Sequence, residues 1–113
     1  MFLFPQQQKR FKDFIRRDGT HPKDRERQAL FFVFAGFDDL GDRIEHFYDF
    51  EGRMIRPEAF EEVDLTSSSR ALVELAFNLY NNYECGTIVD LFANLDDRNR
   101  RMAIEAIKIR FGM

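Results

Sequence analysis

Residues 29–35 constrain this chain more than any other segment: Ala29, Leu30, Phe31, Phe32, Val33, Phe34 and Ala35 follow one another with no polar break. A helix carrying such a run is apolar on every side, and a strand carrying it is apolar on both faces. In either case other elements must cover it all round, so it marks the centre of the fold. The polar stretch before it, from Lys23 to Gln28, runs in without a turn signal. That favours a helix beginning at Thr20 or His21, with Pro22 in its first turn and Gly36 at its end. With Gly36 the run is the longest apolar one, and it falls far short of the ~20 residues a membrane span requires.

Elements able to cover such a core are written along the rest of the chain. Residues 5–17 place Phe4, Gln8, Phe11 and Ile15 at helical spacing, with Phe14 beside them. Lys9, Arg10, Lys12, Arg16 and Arg17 take the other faces, and the chain stops at Asp18 and Gly19. Asp38 and Asp39 are expected to cap a third helix over 40–49 with Leu40, Ile44 and Phe47 inward. Residues 50–55 read as a turn and a short extended piece. After Arg56 and Pro57 comes one helical turn, 58–62. The polar run from Thr66 to Ser69 then caps a long helix over 70–82, with Ser68 or Ser69 as the cap. Its inner face holds Leu72, Leu75, Ala76, Leu79 and Tyr83. Thr87 with Asp90 resembles a capping box for a short helix over 88–93. Asp96 caps the last helix, 97–110, for which Ala103, Ile104, Ile107 and Phe111 are the expected inner face.

The composition supports one globular unit. The chain has 113 residues, of which 44% are hydrophobic and 33% charged, with 14 Phe and no Trp. Fourteen rings give one domain ample apolar area, at roughly 150–250 Å² each. The apolar stretch 1–5 is too short for a secretory signal core. Cys85 is the only cysteine, which leaves no intrachain disulfide and no cysteine-based zinc site and suits a reducing, cytoplasmic setting.

Charge is unevenly distributed. Residues 1–30 hold eight Lys and Arg against four Asp and Glu; residues 31–99 hold five against fifteen; residues 100–113 hold four against one. An acidic middle therefore lies between basic ends. Either the two pair internally, or the middle is free to meet a basic surface elsewhere.

Three stretches carry a family resemblance. Asp42 and Arg43 lead through Phe47, Tyr48, Asp49 and Phe50 to Gly52 and Ile55. Leu75, Ala76, Phe77, Asn78, Leu79, Tyr80 and Asn81 form the second. Leu91 and Phe92, followed by residues 106–111, form the third. With these the chain resembles an uncharacterised family of short proteins from Gram-positive bacteria and their phages and mobile elements. Such proteins carry a Trp just before the Ser/Thr cap, where this chain has Val63, Asp64 and Leu65. The resemblance implies a compact helical fold and a mobile-element origin, and it brings no activity with it.

Few residues offer chemistry. His46 lies one helical turn from Asp42, a spacing that suits a general base, but the nucleophile candidates Ser67, Ser68, Ser69 and Cys85 are far along the chain. His21 and His46 make no metal-ligand spacing. Carboxylates cluster at Asp38, Asp39 and Asp42, at Glu58, Glu61, Glu62 and Asp64, and at Asp96 and Asp97, without the phosphate-binding glycine loop of a phosphoryl-transfer enzyme. Helix capping accounts for Asp38, Asp39, Asp96 and Asp97. Asn78 is the one polar residue deep in an apolar helix, and a bond to a neighbouring backbone such as the 50–55 turn would satisfy it.

These observations predict an all-α domain over residues 1–113, a bundle of five to seven helices with at most one short β-pair near 50–55. The expected role is that of a small non-enzymatic interaction protein of the phage or mobile-element type. It would bind a bacterial host protein, such as a component of a defence or nucleic-acid-handling system, through Glu58, Glu61, Glu62 and Asp64. No cofactor, metal or membrane is expected, and Asn78 is given a structural role. Two alternatives are a DNA-binding module using the basic terminal helices, disfavoured by a pI near 5.4, and a small enzyme centred on His46.

Overall fold

A computed structural model describes residues 2–113; Met1, at the head of the apolar stretch 1–5, lies outside the described residues. The described elements are α1 (Pro5–Asp18), α2 (Arg25–Ala35), α3 (Asp38–Asp42), a 3-10 turn (Ile44–His46), a hairpin of β1 (Tyr48–Asp49) and β2 (Met54–Ile55), α4 (Ala59–Glu62), α5 (Ser67–Asn81), α6 (Ile88–Ala93) and α7 (Asp97–Phe111). The two strands pair antiparallel, Tyr48 opposite Ile55 and Asp49 opposite Met54. The fold is helical, as the apolar periodicity predicts, with the β-pair at the one place expected. No helix among the described residues is long and apolar enough to cross a membrane.

α2 is the axis of the molecule. Every residue from Ala29 to Ala35 is at most 1% exposed, and α1, α5 and α7 all pack against this helix. Successive side chains on a helix point about 100° apart, so its three Phe rings seed three clusters. Phe31 meets Phe14, Tyr48 and Phe50, with ring centroids 5.9, 5.0 and 5.8 Å away. Phe32 meets Phe2 and Phe11. Phe34 meets Phe47 and Phe77. One continuous run thus joins the N-terminal helix, the hairpin and α5 into one core.

The caps follow the sequence closely, with corrections. Gly19 ends α1 in the left-handed region at φ 72°. α2 begins at Arg25 rather than at Thr20 or His21, because Asp24 accepts the Arg27 N–H as its cap. The residues before it are held in a turn where His21 Nδ1 accepts the Lys23 N–H. The cap of α5 is Thr66, in a reciprocal box with Ser69, rather than Ser68 or Ser69. Thr87 and Asp96 cap α6 and α7 as expected.

Two further expectations fail for tertiary reasons. A helix over 40–49 does not form, and Asp38 and Asp39 stand in the first turn of α3 rather than at its cap. Gly41 lets α3 approach α2 so closely that a Cβ there would lie 2.9 Å from the Phe34 carbonyl oxygen. Beyond Asp42 the chain turns, because Tyr48 pairs with Ile55 and bonds to Asp18 and Arg27, which requires extended backbone. On α7 the inner face is Met102, Ala103 and Ala106, whereas Ile104 and Phe111 are 47% and 63% exposed. The small Ala side chains face α2, which turns the helix by about one residue, roughly 100°, from the expected orientation.

Candidate functional site

The carboxylates of the acidic middle divide into a paired group and an unpaired one. Arg10 of α1 binds Asp38 and Asp42 at 2.5 and 2.9 Å, Arg17 binds Glu45 at 3.0 Å, and Arg43 binds Asp39 at 2.7 Å. The basic N-terminal helix thus neutralises Asp38, Asp42 and Glu45, and Arg43 neutralises Asp39. Glu58, Glu61, Glu62 and Asp64 are exposed, and among the described residues their side chains make no ion pair or hydrogen bond.

Their exposure follows from the helix that carries them. α4 is a single turn and buries only Ala59, with Phe60 half-buried beside it. Phe60 meets Phe77 of α5 edge-on at 5.5 Å and lies nearly parallel to Tyr83, at 6.2 Å and 19°. Asn78 holds Tyr83 in place: its Nδ2 donates to the Tyr83 carbonyl oxygen at 2.9 Å. The expected partner of Asn78, the 50–55 turn, is therefore replaced by the exit of its own helix. Asn82, left-handed at φ 65°, makes that exit sharp enough for the bond.

Between α4 and the segment after α5 lies a groove of about 490 Å³. Pro57, Phe60 and Tyr83 supply its apolar lining, and Glu58, Glu61, Glu74 and Glu84 stand around them. One cation enters it. The Arg70 guanidinium sits 4.9 Å from the Phe60 ring centroid, and its Nε is 3.6 Å from Glu74 Oε2. Glu74 also accepts the Gly86 N–H through Oε1, tying the loop to α5.

The other candidates are placed elsewhere. His46 is exposed at the end of the 3-10 turn, and its ring has no partner among the described residues. Ser68 donates to the Asn94 carbonyl oxygen, and Ser69 is buried in the α5 cap. Burial and then the Glu74 carboxylate push the Cys85 thiol above its ordinary value, away from the reactive thiolate. No group of three or more His, Cys, Asp or Glu among the described residues could hold a metal ion. The basic residues of α7 are engaged internally: Arg100 donates to the Phe92 carbonyl oxygen, Arg101 pairs with Asp97, and Arg110 donates to the Leu79 carbonyl oxygen. Lys108 lies 3.8 Å from Glu105.

A dense polar cluster outside the expected sites joins the hairpin, α1 and α2. The Asp18 carboxylate accepts from Tyr48, from Thr20 and twice from Arg53. Arg27 donates to Tyr48, Tyr80, Asp24 and the Arg53 carbonyl oxygen. Burial alone would raise the Asp18 pKa, but the hydrogen bonds from Arg53, Thr20 and Tyr48 outweigh it and hold the value below normal. Burial, and then the Asp18 bond, keep Tyr48 protonated above the usual phenol range. The groups of the cluster bond to one another and fasten the hairpin to α1 and α2.

Comparison with curated proteins and with solved structures finds no match to this chain. The model of a family of unknown function (DUF6075) matches residues 1–113, and the chain belongs to that family.

Proposed function

We propose that this chain is a non-enzymatic interaction protein that binds a basic surface of another protein through the acidic face of α4. One observation carries the reading: the acids of α3 and the 3-10 turn are neutralised from within, whereas Glu58, Glu61, Glu62 and Asp64 are left without an internal cation among the described residues. Four carboxylates on one exposed turn and its exit repel one another, and a basic partner relieves that repulsion.

In this reading the protein is of the phage or mobile-element type and its partner is a bacterial host protein. Defence and nucleic-acid-handling proteins present basic surfaces to phosphate, and a row of carboxylates can occupy such a surface in its place. Inhibition of such a system is the role that follows.

The test compares two baits in a Gram-positive bacterial lysate, the wild-type protein and the charge-reversed E58K/E61K/E62K variant. The expected result is a protein retained by the wild type at low salt, released at high salt and not retained by the variant, since exposed charges are screened over about 10 Å at 0.1 M. Equal retention by both baits at both salt concentrations overturns the reading.

A further inference from the structure

We infer that the groove beside α4 receives an arginine side chain of the partner, in the place that Arg70 fills in the free protein. The inference rests on the acidic-face reading above and names the chemistry that the face selects.

The protein's own side chain shows which ligand fits. The Arg70 guanidinium lies over the Phe60 ring, at 4.9 Å, with a carboxylate oxygen of Glu74 3.6 Å from its Nε. A cation over an aromatic face beside a carboxylate is a favourable setting for a guanidinium. Arg70 is held weakly there: its side chain is 51% exposed, and its pair with Glu74 is long. Glu74 has a second task, since its other oxygen accepts the Gly86 N–H.

The charge around the groove calls for more than one cation. Glu58, Glu61, Glu74 and Glu84 surround the single Arg70, so three negative charges remain after it is counted. A nucleic acid or an anionic lipid surface would be repelled. An apolar helix would strand these carboxylates beneath it. An arginine-bearing protein segment meets both features at once, its guanidinium on the ring and its neighbours' charges on the glutamates. Planarity favours arginine over lysine, because only a guanidinium can lie flat on the ring while donating sideways to a carboxylate. Arg70 must then move aside, and it acts as a placeholder that competes with the guest.

The experiment measures binding of fluorescein-labelled hexa-arginine and hexa-lysine peptides by anisotropy at low salt. The proteins are wild type, R70Q, F60L, the R70Q/F60L double variant and E58K/E61K/E62K. Arg70 is exposed, so R70Q should keep its fold. The arginine peptide is expected to bind more tightly than the lysine peptide. R70Q should strengthen arginine-peptide binding by roughly two- to fivefold, the scale of an exposed cation–ring contact, and F60L should cancel most of that gain. An equal gain from R70Q with and without Phe60, or equal binding of the two peptides, overturns the inference and leaves the acidic-face reading standing. Binding by the charge-reversed variant equal to wild type, or no binding of either peptide by wild type, overturns both. If F60L does not fold, the decision falls to R70Q alone: its gain must be larger for arginine than for lysine, and an equal gain overturns the inference.

Discussion

The Tyr48 hydroxyl donates to Oδ1 of Asp18 across 2.5 Å, and the carboxylate it meets is wholly buried. This bond joins the hairpin to the last turn of α1. The charge is compensated by Arg53 at 3.0 Å, with Arg27 at 4.0 Å. Arg53 reaches it from a left-handed backbone conformation, φ 55°, that non-glycine residues seldom adopt.

Asp18→Ala should therefore destabilise the fold by about 3–5 kcal/mol, because it leaves Tyr48, Thr20 and the Arg53 guanidinium without their shared acceptor. Tyr48→Phe removes one bond and should cost about 1–2 kcal/mol. The pH dependence has a definite sign. The folded-state pKa of Asp18 lies below its unfolded value, so its contribution is present at neutral pH and is lost as pH falls below about 4. Urea denaturation at neutral and acid pH should show wild type losing more stability on acidification than Asp18→Asn. Equal losses would mean that this carboxylate is not the one that matters. Tyr48 acts at the other end of the scale. Its raised folded pKa means that stability falls as pH climbs past about 10.

Gly36 and Gly19 both end helices, yet alanine should affect them differently. A Cβ at Gly36 would fall 2.5 Å from Gln7 Nε2 and 3.0 Å from Met102 Cγ. Gln7 cannot simply withdraw: it is fully buried and donates to the Phe32 carbonyl oxygen while accepting the Leu3 N–H. Gly36→Ala should cost about 2–3 kcal/mol through overpacking and strain on those bonds. Gly19 has open space around its Cβ position and a φ of 72°, so Gly19→Ala should cost only about 1 kcal/mol, for the backbone conformation. Thermal or urea melts of the two variants check the order, and the reverse order would contradict the close packing at Gly36.

Much of this architecture is legible in the residues themselves. The run 29–35 announces the central helix, and polar caps at Thr87 and Asp96 announce two helix starts, whereas the Ser68 or Ser69 reading misses the true α5 cap, Thr66. What escapes is the polar content of the core. Gln7 and Asp18 lie on the same stripe as Phe4, Phe11 and Phe14, spaced by three and four, so periodicity places both inward. A reading that follows only the apolar residues settles on the exposed Gln8 and takes Asp18 as a stop signal. A carboxylate in the last turn of a helix also opposes the helix dipole, and that conflict signals a tertiary partner. The acidic face is visible as a cluster, but the groove is not, because Phe60, Arg70 and Tyr83 meet only through the docking of α4 on α5.

Asn78→Leu should cost only about 1 kcal/mol, because Asn78 is half-buried and its one bond goes to the Tyr83 carbonyl oxygen. The larger effect should fall on the groove. Tyr83 packs on Phe77 at 5.8 Å as well as on Phe60, and releasing its backbone loosens that wall. Amide hydrogen exchange should rise at residues 83–86 in this variant and stay unchanged in α2. A uniform rise across the chain would point to a global role for Asn78 instead.

Phe34 and Phe111 offer a direct test of which helix faces are inside. Phe34 is fully buried between Phe47 and Phe77, so Phe34→Ala removes a ring from a close-packed site that cannot collapse to fill it. The expected cost is about 3–5 kcal/mol. Phe111 sits at the expected inner spacing of α7 yet is 63% exposed, and its ring meets the neighbouring Arg110 guanidinium at 5.5 Å. Phe111→Ala should therefore stay within about 0.5 kcal/mol of wild type. Ile104→Ala, on the same outward stripe and 47% exposed, should behave alike. Met102→Ala, on the inward face and fully buried, should cost about 2–5 kcal/mol. Urea titration of the four variants separates the two orientations of α7. If Phe111 and Ile104 proved costly while Met102 did not, α7 would have to present the opposite face to α2, and the Ala103 and Ala106 contact would be wrong.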